Sequence, residues 1–128
     1  MGSGELSAIY RGYIECLNGQ DWGNLGRYVG ENVRYNGEAI GLTGYRAMLE
    51  GDFRAVPDLN FRIALLVCEP PYVASRLKFD CTPVGVLFDL PVNGKRVRFE
   101  ENVFYEFEGG RIKAVWSIID KSSVAAQV

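Results

Sequence analysis

The chain has 128 residues, of which 48% are hydrophobic and 23% charged, an ordinary mixture for one globular domain that excludes disorder and fibrous structure. Its net charge of −2 leaves no basic footprint for nucleic acid and no polybasic anchor for a membrane. Histidine is absent, which removes the commonest metal ligand and every Ser-His or Cys-His dyad. Catalysis, if present, rests on carboxylates, tyrosines, lysines or amides, and no metal or cofactor is expected. Cys16, Cys68 and Cys81 cannot all pair within one chain, and none has CxxC spacing. Reduced thiols and a cytoplasmic location are therefore expected, with no signal peptide in view. The longest apolar run, residues 63–68, falls far short of the roughly 20 residues that span a bilayer. A folded chain of this size should expose about 6,800 Å², about a third of its unfolded surface, which leaves room for a core and a cavity.

Met1-Gly-Ser-Gly4 reads as a flexible leader, and residues 5–128 as a single domain. From Glu5, the residues Leu6, Ile9, Tyr10, Tyr13, Ile14 and Leu17 recur at three- and four-residue steps and predict an amphipathic helix ended by Asn18-Gly19. Asp21 is placed to cap a short second helix carrying Trp22, Leu25 and Tyr28. Residues 33–36 predict a short strand, and Thr43 caps a third helix with Tyr45, Met48, Leu49, Phe53 and Val56 on its apolar side, stopped by Pro57.

Beyond Asp58 the period changes to two. Leu59, Phe61, Ile63, Leu65 and Val67 form one face of a strand, and Val73, Ser75, Leu77, Phe79 and Cys81 form a face of the next, after a turn at Glu69-Pro-Pro71. A loop through Pro83, Gly85 and Pro91 leads to a tight turn at Asn93-Gly94. Residues 95–107 and 111–120 are the last two strands, with a short tail. The predicted class is α+β: three helices, then a curved antiparallel sheet with the helices on one face.

With Gly109-Gly110 as the turn, Glu108 faces Arg111, Phe107 faces Ile112 and Glu106 faces Lys113, so opposite charges meet on one face and apolar groups on the other. Carried outward, this register puts Phe99, Glu101, Val103, Tyr105, Trp116, Ile118 and Asp120 on one sheet face. It puts Glu100, Asn102, Phe104, Val115, Ser117 and Ile119 on the other, whose apolar centre suits a dimer surface. Glu101 and Asp120 are thus two carboxylates on an apolar, aromatic face, where burial and mutual repulsion would raise their pKa toward proton-transfer range. The alternative is that Asp120 is solvated or paired with Lys121 or Arg98, and that Glu101 lies at the rim. Tyr35 is either a hydroxyl that orients a ligand or a core tyrosine, with Tyr45 and Tyr105 behind it. Trp116 is a pocket wall or plain core. Phe53, Leu65, Phe79 and Met48 are lining or core, which sequence does not separate.

Several stretches now add up: the opening helix, Asn18-Gly-Gln-Asp-Trp22, Gly44-Tyr-Arg-Ala-Met-Leu49, Pro57-Asp-Leu59, Pro91-Val-Asn-Gly-Lys-Arg96, Phe107-Glu-Gly-Gly-Arg-Ile112 and Val115-Trp-Ser-Ile-Ile-Asp120. In this order and spacing they resemble the SnoaL-like polyketide cyclase or ester cyclase family, which has the fold of nuclear transport factor 2. The resemblance implies a conical sheet around three helices, a hydrophobic pocket between them, and homodimers through the outer sheet face. It also implies an aspartate on the last strand, matched here by Asp120, that acts as general acid/base in an aldol closure without metal or cofactor. Tyr35 stands where the family often carries a histidine, and Val86 where a polar or acidic residue is more usual. The Gly-Ser leader and the missing histidines point to an engineered chain, since this cone has served as a scaffold for steroid-sized ligands.

Three functions follow. The first is a hydrophobic small-molecule binder for a rigid polycyclic ligand such as digoxigenin. The second is a cyclase or isomerase using Asp120, and the third is a dimeric interaction module without catalysis. Nucleic acid and membrane are not expected partners.

Overall fold

The computed structural model describes residues 1–128. Helix α1 (Ser3–Asn18) begins two residues before Glu5, inside the expected leader, and buries Leu6, Tyr10, Tyr13, Ile14 and Leu17, the stripe its spacing predicts. A 3₁₀ helix follows at Trp22–Arg27, where Asp21 accepts a bond from the Asn24 side chain and does not cap the backbone. Strand β1 (Val29–Tyr35) is longer than its apolar pattern indicates, and turns through Asn36 and Gly37, both at positive φ, into β2 (Glu38–Ala39). Helix α2 (Gly41–Ala55) starts two residues before Thr43, which lies inside its first turn, and ends ahead of Pro57.

The long strands are β3 (Arg62–Glu69), β4 (Tyr72–Cys81), β7 (Val97–Glu108) and β8 (Arg111–Ile119). The stretch expected as a plain loop contains a small hairpin, β5 (Val86–Leu87) and β6 (Leu90–Pro91), turned by Phe88 and Asp89 at positive φ. The expected tail is a helix, α3 (Lys121–Gln127). The main sheet runs β2-β1-β8-β7-β4-β3, antiparallel except where β1 lies parallel to β8. The fold is α+β, with the helical layer packed on one face of the sheet, and 28 buried apolar residues form one core. The accessible surface is 7099 Å², close to the value expected from chain size. No helix is long and apolar enough to cross a membrane.

The β4–β7 ladder runs from Tyr72↔Glu106 to Cys81↔Val97 without a break, and β4 buries alternate residues as its sequence predicts. The two outer neighbours differ. Between β7 and β8 the register holds at Glu108↔Arg111 and Phe107↔Ile112, then jumps to Glu106↔Ala114, leaving Lys113 as the extra residue of a β-bulge. Ala114 and Val115 are consequently both buried, and every later residue of β8 changes face. Val115, Ser117 and Ile119 turn inward, not outward. Trp116 is 43% exposed and Ile118 75% exposed, so the expected inward set fails on β8 while Phe99, Glu101, Val103 and Tyr105 hold their places on β7. A second jump, between Ile63↔Leu77 and Leu65↔Arg76, leaves Ala64 extra and turns Leu65 and Val67 outward, at 57% and 55% exposed.

Candidate functional site

A void of about 140 Å³ opens between α2, the sheet and the β5–β6 hairpin. On α2, the positions Met48, Asp52 and Ala55 form one stripe at three- and four-residue steps that faces the void, and Val56, the residue after the helix, joins them. Tyr35 reaches it from the end of β1, Glu101 from β7 and Ile119 from β8. Three phenylalanines build a wall: Phe61 stands edge-on to Phe79 at 5.3 Å, and Phe79 stacks on Phe99 at 4.9 Å with 21° between the planes. Phe88, from the hairpin turn, meets Phe99 edge-on at 5.5 Å and carries the Lys121 ammonium over its ring, also at 5.5 Å. Leu87 beside it completes the cover.

The lining holds two carboxyl groups and no basic side chain. Glu101 is hydrogen-bonded by the Ser117 hydroxyl, which faces inward only because of the Lys113 bulge. Burial raises the Glu101 pKa, the Ser117 hydroxyl pulls it back by supporting the ionised form, and Asp52 raises it further. Ser117 is itself clamped: its N–H donates to Asn36 Oδ1 at 2.8 Å, and Asn36 N–H donates to the Val115 carbonyl at 2.8 Å. Asp52 sits at the mouth and is exposed as a residue, while burial of its carboxyl against the apolar lining pushes its pKa up to about 6. Beneath the floor lies a tyrosine cluster in which Tyr13 and Tyr45 share a 2.6 Å hydroxyl contact and Tyr10 donates to Tyr105 at 3.3 Å. Burial raises all four phenols. The chain forms no group of three His, Cys, Asp or Glu side chains that could hold a metal ion.

Of the residues singled out from sequence, Tyr35, Met48, Phe79 and Glu101 line this void. Tyr45, Tyr105 and Phe53 are buried in the core around it instead. Leu65 and Trp116 lie on the outer sheet face, moved there by the two bulges, and Val86 is 58% exposed on the hairpin while its neighbour Leu87 points in. Asp120 is exposed and does not share a hollow with Trp116: it follows the last strand as the N-cap of α3, accepting bonds from Ser123 N–H at 3.1 Å and Ser122 Oγ at 3.0 Å. It borders an open polar groove of about 700 Å³ with Arg62, Lys78 and Arg98, on the far side of Phe79 and Phe99. Asp52 was missed because a lone charge on a helix reads as a solvated face. Its place four residues after Met48 was the signal available.

Residues 7–128 match the family model described as SnoaL-like polyketide cyclase. A SnoaL-like polyketide cyclase from Agrobacterium tumefaciens is 47% identical, with 99% of this chain and 98% of that one covered and a TM-score of 0.95. TsrD from Streptomyces laurentii (21% identity, 99% and 96% covered, TM-score 0.87) and IdmH from Streptomyces antibioticus (19% identity, 95% and 96% covered, TM-score 0.83) share the fold. Comparison with curated protein sequences finds no significant match. Neither these relatives nor the void supports an engineered steroid binder, for 140 Å³ is well under the roughly 300–1,000 Å³ of drug-sized pockets.

Proposed function

This chain belongs to the SnoaL-like polyketide cyclase family, and from that premise we propose that it catalyses ring closure of a neutral carbonyl compound by proton transfer through Glu101. The observation that carries the reading is a carboxylate held by a serine hydroxyl inside an aromatic pocket. Glu101 takes a proton from the carbon next to a carbonyl, breaking a C–H bond, and the resulting enolate carbon attacks a second carbonyl of the same molecule. Burial makes Glu101 a stronger base than a solvated carboxylate, and Ser117 keeps enough of it ionised to act. The aromatic walls exclude water and hold the reacting carbons near each other. A void near 150 Å³ admits a benzene-sized ring, so one ring's worth of substrate enters while the remainder lies across the mouth. The role that sequence order assigns to Asp120 falls to Glu101 in this reading.

The test uses cyclohexanone in D₂O and follows α-hydrogen exchange by NMR. Wild-type protein should accelerate exchange, and Glu101→Gln should lose about 10²–10⁴-fold of that acceleration. Exchange that survives in Glu101→Gln sinks the proposal.

A homodimer through the outer sheet face belongs to the same reading. Val67, Ala74, Phe104 and Trp116 are directly opposed across β3, β4, β7 and β8, so one straight apolar row crosses the face, with Leu65 and Ile118 in the next row. Exposed apolar surface of this extent is what a second copy with the same row would cover.

A further inference from the structure

We propose that Asp52 is a second catalytic residue, the acid that completes the closure begun by Glu101, and this rests on the reading of Glu101 as base. Three observations place it there. Asp52 lies on the α2 stripe that faces the void, opposite the sheet that carries Glu101, so a substrate held between them meets one carboxyl on each side. Its carboxyl has neither a salt-bridge nor a hydrogen-bond partner on the protein, and on the same helix Arg46 is taken up by Glu50 at 3.1 Å. Apart from the proton that Glu101 has just taken on the sheet side, the lining offers the developing alkoxide only the Tyr35 phenol, which burial makes a weaker acid.

The environments divide the labour. Glu101 is deep and its ionised form is supported by Ser117, which suits a base. Asp52 lacks such support and holds its proton up to about 6, and from the mouth it can be reloaded by water. In the step itself the α C–H bond breaks and its proton goes to Glu101. The C–C bond forms as the carbonyl π bond opens, and the new alkoxide oxygen takes its proton from Asp52. Glu101 then releases a proton to water and Asp52 regains one, so the product is an isomer of the substrate and no further reactant is consumed. Two carboxyls without a cation also disfavour an anionic group in the void, so the reacting end of the substrate is neutral.

The experiment uses two probes: cyclohexanone for α-hydrogen exchange, which needs only the base, and 2,6-heptanedione for closure to 3-hydroxy-3-methylcyclohexanone, which needs both groups. Asp52→Asn should lose at least 100-fold in closure while exchange falls by less than tenfold, and the fall of closure activity on the alkaline side should disappear from its pH profile. Glu101→Gln should lose both reactions. Closure by Asp52→Asn within threefold of wild type, with the alkaline limb intact, overturns the assignment of Asp52 and leaves Glu101 standing. Exchange that persists in Glu101→Gln, or a wild-type protein inert toward both probes, overturns the functional reading and this inference with it. A thermal melt of Asp52→Asn shows that its loss is not unfolding.

Discussion

The middle of the sheet and its flanks obey different rules. Between β4 and β7 ten residue pairs follow without interruption, and the apolar alternation of Val73, Ser75, Leu77, Phe79 and Cys81 reads directly as burial. On either side one extra residue breaks the ladder, Ala64 in β3 and Lys113 in β8, and the alternation read from sequence inverts past that point. The difference matters for chemistry. An unbroken β8 would point Ser117 outward and leave Glu101 among rings with no donor, whereas the bulge supplies the hydroxyl and turns Trp116 and Ile118 to the exterior. The regular strands build the walls, and the irregular one equips them.

Removing the irregularity should have the largest effect. Deleting Lys113 forces β8 into the straight register, which buries Trp116 where Val115 fits and ejects Ser117. The expected loss exceeds about 4 kcal/mol, a scale reached when a core is overpacked and a buried network broken together. Urea denaturation measures it, and a deletion mutant of near-normal stability would show that the bulge is dispensable.

Adjacent residues on the two faces sharpen the contrast. Val115→Ala should cost about 1.5–3 kcal/mol, because Val115 is 2% exposed. Trp116→Ala, despite removing a much larger side chain, should cost the monomer under about 1 kcal/mol and instead shift the proposed dimer toward monomer in analytical ultracentrifugation. Equal losses for the two would mean that the faces are not inverted.

The last contrast concerns Asp52. A carboxyl whose folded pKa is raised from 3.8 to about 6 opposes folding once it ionises. Its contribution is most favourable below the unfolded value and is lost as pH rises through about 6. Asp52→Asn should therefore raise the melting temperature at pH 7, with a gain below about 2 kcal/mol because water screens the mouth. The gain should vanish as pH falls toward 4, and thermal scans across that window give the sign.

These contrasts also explain what the sequence disclosed. Helical stripes on α1 and α2, the Asn93-Gly94 turn with both residues at positive φ, and the strand sequence were legible because each is set by neighbouring residues. The bulges were not, since register is decided between strands. The apolar run Ala114-Val115-Trp116, which breaks the alternation of the strand, was a local trace of the bulge in β8. That slip misplaced Trp116 and gave Asp120 an inward direction, although Asp120-Lys-Ser-Ser123 carries the signature of a helix cap. Of the four sequence-chosen residues that line the void, Met48, Phe79 and Glu101 lie on elements that carry no extra residue, whereas Tyr35 follows the register shift of β1 between Val29 and Arg34. Asp52 and Phe88 escaped notice because their membership depends on how α2 and the hairpin dock, which no periodicity records.

The parallel pairing of β1 with β8 sets the order in which the molecule can be assembled. Asn36 meets Ser117 across 81 positions of chain and Tyr10 meets Tyr105 across 95, so the first contact waits for synthesis of β8 and the second for β7. Until then α1 can pack only on β3 and β4 of the sheet and α2 only on β1, so part of the aromatic core stays uncovered. Strand β8 also delivers the serine to the glutamate, so a nascent chain that has not yet made β8 leaves apolar surface open and lacks the Ser117–Glu101 contact at the same time.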